Sequence, residues 1–296
     1  MIFKGSATAL VTPFHADFSV NKEKFVELIN RQIADGTQAL VINGTTGEAS
    51  TLNKEERMDL LKLALETVNG RIPVIAGTGS NNTADALEAT LAAQYAGADA
   101  AMLVTPYYNK TSQAGLIAHY THIADRTDIP LILYTVPGRT GLAINVDTMV
   151  TLAKHPRIVG LKDATGDAAY TMDILRQVAD PDFAIYSGND DVVVPYIAAG
   201  AAGVISTVAN LFPGPMQEIC NAAFGGAWQT ARDIQYRLFP VIQGVFLEVN
   251  PIGTKEGLNH MGLEVGPPRL PLIPMGDANS KKLADAIAAY QKGEGE

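Results

Sequence analysis

The chain has 296 residues, 47% of them hydrophobic and 18% charged, with a formal net charge of −9. That length and apolar content suit one large globular domain, alone or with a small appendage, and a negative balance without any dense basic cluster argues against a nucleic-acid surface and for a small-molecule or protein partner. One cysteine, Cys220, excludes an intrachain disulfide, and the five scattered histidines offer no metal cage, so neither metal nor cofactor is expected, and a reducing cytoplasm fits.

At the N-terminus Lys4 and a short apolar run lead to Pro13 without a signal-peptide cleavage pattern. The run at 7–11 reads as a strand stopping at Thr12-Pro13, and 21–35 has helical periodicity with Gly36 as its stop. The unit then repeats. A strand at 39–42 runs into Asn43-Gly44-Thr45-Thr46-Gly47, ahead of a helix at about 53–68 with Asn53 as cap and Glu55 and Glu56 in its first turn. A strand at 72–76 ends at Gly77-Thr78-Gly79, and an alanine-rich helix follows to Tyr95, closed by Gly97. A strand at 100–104 ends at Thr105-Pro106-Tyr107-Tyr108-Asn109, and the helix at about 112–124 carries His119 and His122, read as exposed-face histidines. The strand at 131–133 ends at Tyr134, with a loop through Pro137, Gly138 and Arg139 before a helix near 145–154. The strand at 158–161 ends at Lys162, with a helix near 167–178 after it. The strand at 183–186 ends at Ser187-Gly188-Asn189-Asp190 before a Val- and Ala-rich helix. The strand at 203–205 ends at Ser206-Thr207, before a helix near 215–224. Residues 192–216 are uncharged for longer than a membrane span needs, but the prolines and glycines within them favour a buried helix and a buried strand.

Eight strand–helix units with short apolar strands that lack clean alternation point to strands buried on both faces, and so to an α/β chain folded as a closed (β/α)8 barrel. A doubly wound open sheet is the rival, but its glycine-rich dinucleotide fingerprint is missing. Beyond Gly226 the alternation gives way to helices at 227–248, about 252–261 and 280–290, with a proline-rich loop, GPPRLPLIP, expected to run extended over the surface. The expected organisation is a catalytic barrel over 1–225 and a small helical appendage over 226–296, whose final Gly-Glu-Gly-Glu is expected to fray.

Barrel enzymes build their sites at the C-terminal ends of the strands, which gathers Thr45, Thr46, Tyr107, Tyr108, Tyr134, Arg139, Lys162, Gly188 and Ser206 on one rim. Lys162 closes an apolar run, and a desolvated lysine titrates low and becomes a nucleophilic amine. The bland alternative is a strand-end lysine paired with Asp163. Asp163, Asp190 and Asp191 form no obvious acid–base pair, and no phosphate loop or metal spacing is present, which leaves amine catalysis. An imine on Lys162 needs proton carriers, and the hydroxyls of Tyr134, Thr45 and Tyr108, at three strand ends, suit a relay, though each could be an ordinary core or capping residue. Gly44–Gly47 offers backbone N–H groups to a carboxylate, and Arg139 could clamp a second one.

Gly44-Thr45-Thr46-Gly47-Glu48, Thr105-Pro106-Tyr107-Tyr108-Asn109, Tyr134 with Pro137-Gly138-Arg139-Thr140-Gly141, and Gly160-Leu161-Lys162-Asp163-Ala164-Thr165-Gly166 resemble the dihydrodipicolinate synthase family, and the likeness runs from VTPF to NPIGTKEGLNHMGLEVGPPRLPL. The resemblance implies a lyase condensing pyruvate with L-aspartate 4-semialdehyde on the route to diaminopimelate and lysine. It implies that Lys162 forms the imine, that Tyr134, Thr45 and Tyr108 relay protons, and that Thr46, Arg139, Gly188 and Ile205 contact substrate. Tyr108 would reach a neighbouring subunit's site, giving at least a dimer and commonly a tetramer. A feedback site for lysine would be lined by Ala49, Lys54, Arg57, Asn81, Asp85 and Tyr107, with Lys54 and Arg57 weakening it by charge. Thr135 and Asp163 depart from the expected Asn and Glu and bear only on substrate positioning. The alternatives are another pyruvate-dependent lyase, such as an N-acetylneuraminate lyase or keto-deoxy sugar acid aldolase, and a non-catalytic barrel acting as a binding protein.

Overall fold

The computed structural model describes residues 1–293; the last three residues of the Gly-Glu-Gly-Glu tail lie outside it. Eight parallel strands close into a barrel in chain order: β1 (Gly5–Ala9), β2 (Ala39–Ile42), β3 (Val74–Gly77), β4 (Ala100–Val104), β5 (Leu131–Thr135), β6 (Ile158–Asp163), β7 (Ala184–Ser187) and β8 (Gly203–Ser206). β8 pairs back onto β1, Ala7 opposite Ile205, so no strand edge is left open.

The outer layer runs α1 (Lys22–Ala34), α2 (Lys54–Val68), α3 (Thr83–Ala96), α4 (Gln113–Ala124), a one-turn α5 (Pro137–Thr140), α6 (Val146–Leu152), α7 (Ala168–Leu175), α8 (Val193–Ala198) and α9 (Pro213–Phe224). The end signals act as expected. Asn53 and Glu56 form a reciprocal capping box on α2, and Gly97 closes α3 in the left-handed region. The uncharged stretch divides into α8, β8 and the start of α9, and among the described residues no helix is long and apolar enough to cross a membrane.

Because side chains alternate across a strand, the barrel sorts its residues into two layers. Val41, Ile75, Ile132, Tyr134, Tyr186 and Ile205 fill the interior, while Leu40, Leu103, Leu133, Leu161, Ile185 and Val204 pack outward against the helices. The C-terminal helices α10 (Trp228–Val245), α11 (Ile252–His260) and α12 (Asp277–Lys292) share the outer core, with Leu238, Val241, Leu283 and Ile287 in one apolar cluster with Leu10 and Val11.

Two expectations need correction. β5 and β6 run on through Tyr134 and Lys162 to Thr135 and Asp163, because polar residues facing the barrel interior look like strand ends in sequence. His119 is buried, not on an exposed face: Nδ1 meets Thr83 Oγ1 at 2.9 Å and burial lowers its pKa to about 4. The proline-rich loop does run over the surface, Leu270 and Ile273 being 74% and 60% exposed, and it is anchored there by the Arg269 guanidinium, which donates to Glu56, to the Phe18 carbonyl and to the Thr51 carbonyl.

Candidate active site

Lys162 sits in β6, opposite Tyr134 of β5 on one side and Tyr186 of β7 on the other. Leu161 packs outward, so Lys162 points into the barrel and Asp163 points out again. The Asp163 carboxylate accepts hydrogen bonds from the hydroxyls of Thr165, Thr171 and Tyr196, which rules out the simple strand-end pair with Lys162. The Lys162 ammonium lies 4.6 Å from the centroid of the Tyr134 ring, and the residue is only 5% exposed.

Burial lowers the Lys162 pKa to about 8; Asp190 opposes the shift and the Arg139 charge reinforces it. Burial also pushes Tyr134 up to about 12, with the Arg139 charge and the nearby Thr45 hydroxyl pulling the other way. Tyr134 therefore holds its proton at neutral pH beside an amine poised to lose one. Asp190 is the carboxylate that acts on Lys162. It is buried, accepts from the Ser206 hydroxyl and from the backbone N–H groups of Thr207 and Val208, and burial raises its pKa.

β2 ends at Ile42, and Asn43, with a φ of 60°, turns the chain into the Gly44–Glu48 stretch. That turn lies so close to β3 that a Cβ at Gly77 would stand 2.2 Å from the Asn43 carbonyl oxygen, so only glycine fits there. Thr45 is exposed and faces a cavity of about 760 Å³, whose wall also carries Tyr134, Arg139 and Tyr107. Thr46 is buried beneath it, its hydroxyl accepting a hydrogen bond from Asn250 at 2.9 Å and standing 3.5 Å from that of Thr207. Pro137 opens the α5 turn, at whose exposed end the Arg139 guanidinium donates to the Asn250 carbonyl at 3.1 Å.

Lys162, Tyr134, Thr45 and Arg139 are thus coupled at one mouth of the barrel. Ile205 is fully buried among the interior side chains; Gly188 follows β7, its N–H on the Asp163 carbonyl and its missing Cβ making room for Ala164. Tyr108 stands apart: it is 92% exposed on a loop with a φ of 69° and meets none of the others within this chain. Ala49, Lys54, Arg57, Asn81, Asp85 and Tyr107 all line the 760 Å³ cavity, so the expected feedback residues share one cleft with Thr45, Tyr134 and Arg139. Lys54 is ion-paired to Glu88 at 3.0 Å. Sequence patterns did not assign roles to Asn250, Asp190 or the buried Glu48–Lys255 pair, which meets at 2.6 Å. Only Asp190 carried a signal, as a carboxylate just past a strand end. Among the described residues no cluster of His, Cys, Asp or Glu could hold a metal ion.

Comparison with known proteins agrees with this geometry. The model of the dihydrodipicolinate synthetase family matches residues 2–290. The chain is 50% identical to the 4-hydroxy-tetrahydrodipicolinate synthase of Exiguobacterium sibiricum over 98% of this chain and 99% of that one, and 47% identical to that of Geobacter sulfurreducens with the same coverage. Among solved structures, the dihydrodipicolinate synthase of Acinetobacter baumannii complexed with pyruvate superposes with a TM-score of 0.96 at 43% identity, covering 98% of this chain and 99% of that chain. A closed eight-stranded barrel, a buried lysine beside a buried tyrosine on the adjacent strand, and a match over nearly the whole length lead to one conclusion: the chain belongs to the dihydrodipicolinate synthetase family.

Proposed function

We propose that this chain condenses pyruvate with L-aspartate 4-semialdehyde through an imine on Lys162, giving 4-hydroxy-tetrahydrodipicolinate on the route to diaminopimelate and lysine. The observation that carries it is the Lys162–Tyr134 pair: an amine brought to about 8 by burial, 4.6 Å from the ring centroid of a tyrosine that stays protonated. The neutral amine adds to the keto carbon of pyruvate, and loss of water leaves a protonated imine. Loss of a methyl proton gives the enamine, whose carbon attacks the aldehyde, and the new alkoxide takes a proton. The amino group of the semialdehyde then displaces Lys162 from the imine carbon, closing the ring and freeing the enzyme. Tyr134, with Thr45 on the same cavity wall, carries the protons at the amine; the Gly44–Gly47 turn with Thr46 seats the pyruvate carboxylate, and Arg139 seats that of the semialdehyde. Gly188 and Ile205 shape the floor.

Tyr108, extended into solvent, is suited to complete the relay in a neighbouring subunit, which makes the working form at least a dimer; a monomeric species with full turnover would contradict this. The division into a barrel over 1–225 and a helical segment over 226–296 is supported by the end of strand–helix alternation at Phe224. Activity is expected in the cytoplasm, where the buried Cys220 stays reduced. The test is a comparison of turnover for pyruvate plus aspartate semialdehyde against cleavage of N-acetylneuraminate and keto-deoxy sugar acids. The synthase reaction should dominate, and Arg139→Ala should raise the semialdehyde KM selectively. Faster turnover on a sugar acid would overturn the assignment.

A further inference from the structure

We infer that Asn250 is a positioning residue that fixes the direction of the Thr46 hydroxyl, so that its proton is aimed at the carboxylate of pyruvate. This rests on the assignment of Thr46 to that carboxylate. Asn250 reaches the barrel mouth from the helical segment, two residues before α11, and is 7% exposed. Its amide is held at both ends: Oδ1 accepts from the Thr254 hydroxyl at 3.0 Å, and Nδ2 donates to Thr46 Oγ1 at 2.9 Å. Thr254 and Thr46 are themselves buried, at 0% and 2% exposure.

A hydroxyl that accepts from an amide N–H keeps its own proton for a third partner. The protein neighbour on that side is Thr207 Oγ1, at 3.5 Å and so at the limit of a hydrogen bond. An anion seated in the Gly44–Gly47 turn is a far better acceptor. The chain Thr254 to Asn250 to Thr46 therefore runs one way, each hydrogen bond reinforcing the next, and ends as a donor into the site. Aspartate in place of Asn250 would keep the shape but reverse the polarity: it would accept from Thr46, turn the proton away, and set a negative charge beside an anionic substrate. The backbone carbonyl of the same residue receives Arg139, and a side-chain change leaves that contact in place. The prediction is accordingly a split between the two substrates.

The experiment measures half-saturation by pyruvate in two ways, as the KM in turnover and as the concentration giving half of the borohydride-trapped adduct in the absence of semialdehyde. Asn250→Asp should raise both about tenfold or more, and Thr254→Val, which removes only the donor behind Asn250, should raise both about two- to fivefold. The semialdehyde KM should stay within about twofold of the parent in each. Should Asn250→Asp fail to fold, Thr254→Val decides alone. Unchanged half-saturation by pyruvate in a folded variant, or a rise in both KM values together, overturns the inference. A parent protein that traps no adduct at all would sink the imine assignment and this inference with it, an outcome distinct from a parent and variant that trap equally well.

Discussion

Glu48 and Lys255 form a buried ion pair at 2.6 Å, each side chain 1% exposed, and Glu48→Gln should expose how much of the fold depends on it. Glu48 also accepts the Arg269 backbone N–H at 2.8 Å, while Lys255 donates to the Pro267 carbonyl at 3.0 Å and lies 3.9 Å from the centroid of the Phe14 ring. Removing the carboxylate charge leaves a buried ammonium with only neutral acceptors and one ring around it, and breaking such a pair costs about 3–5 kcal/mol. Unfolding entropy of about 2.1 cal/mol/K per residue amounts to about 0.6 kcal/mol/K over this chain, so thermal unfolding should fall by about 5–8 °C. Burial already lowers the Lys255 pKa to about 8 while Glu48 holds it up, so the variant should lower it further. A folded-state pKa depressed below the unfolded value of about 10.5 makes stability rise with pH between the two, because the unfolded chain binds the extra proton. The variant enters that window earlier, and its deficit should shrink as pH is raised toward 8. The assay is calorimetry or circular dichroism at fixed protein concentration. Glu48→Gln/Lys255→Met, which removes both charges, should recover most of the loss. A Glu48→Gln protein melting within a degree of the parent, or a double variant no more stable than the single, would refute the reasoning.

The pH dependence of adduct formation follows from Lys162. The neutral amine is the reactive form, so the rate should climb about tenfold per pH unit below about 8 and level off above it. Asp190→Asn should move that midpoint down, because its charge favours the ammonium, and Arg139→Ala should move it up. Midpoints moving in the opposite senses would show that the electrostatics are misassigned. Lysine should inhibit weakly or not at all: Lys54 already neutralises Glu88, and Arg57 and Arg139 outweigh Asp85 in the cavity wall, leaving no surplus negative charge for an ammonium. Strong inhibition at sub-millimolar lysine in a turnover titration would contradict this.

The barrel was legible because strands buried on both faces appear as unbroken apolar runs, and because caps such as Asn53 and Gly97 punctuate the helices. Lys162 and Tyr134 were legible for the same reason, as polar residues among apolar ones, and that same polarity cut their strands short by one or two residues. His119 was misplaced because α4 is flanked by α3 and α6, so more of its surface is covered than a single apolar face implies. Asn250 and Lys255 were assigned no role because their partners lie far away in the chain, Thr46 being 204 residues from Asn250. A lysine set in Gly-Thr-Lys-Glu-Gly gives no local sign that it will be buried against Glu48. Contacts made by a helical segment folding back over a barrel mouth have no sequence period to betray them.

The measurement that bears most directly on the chemistry is the intact mass of the protein after incubation with pyruvate and borohydride. One reduced pyruvate adduct per chain, mapped to Lys162 and absent from Lys162→Ala, is the predicted result. No adduct, or an adduct that persists in Lys162→Ala, would contradict an imine at that lysine.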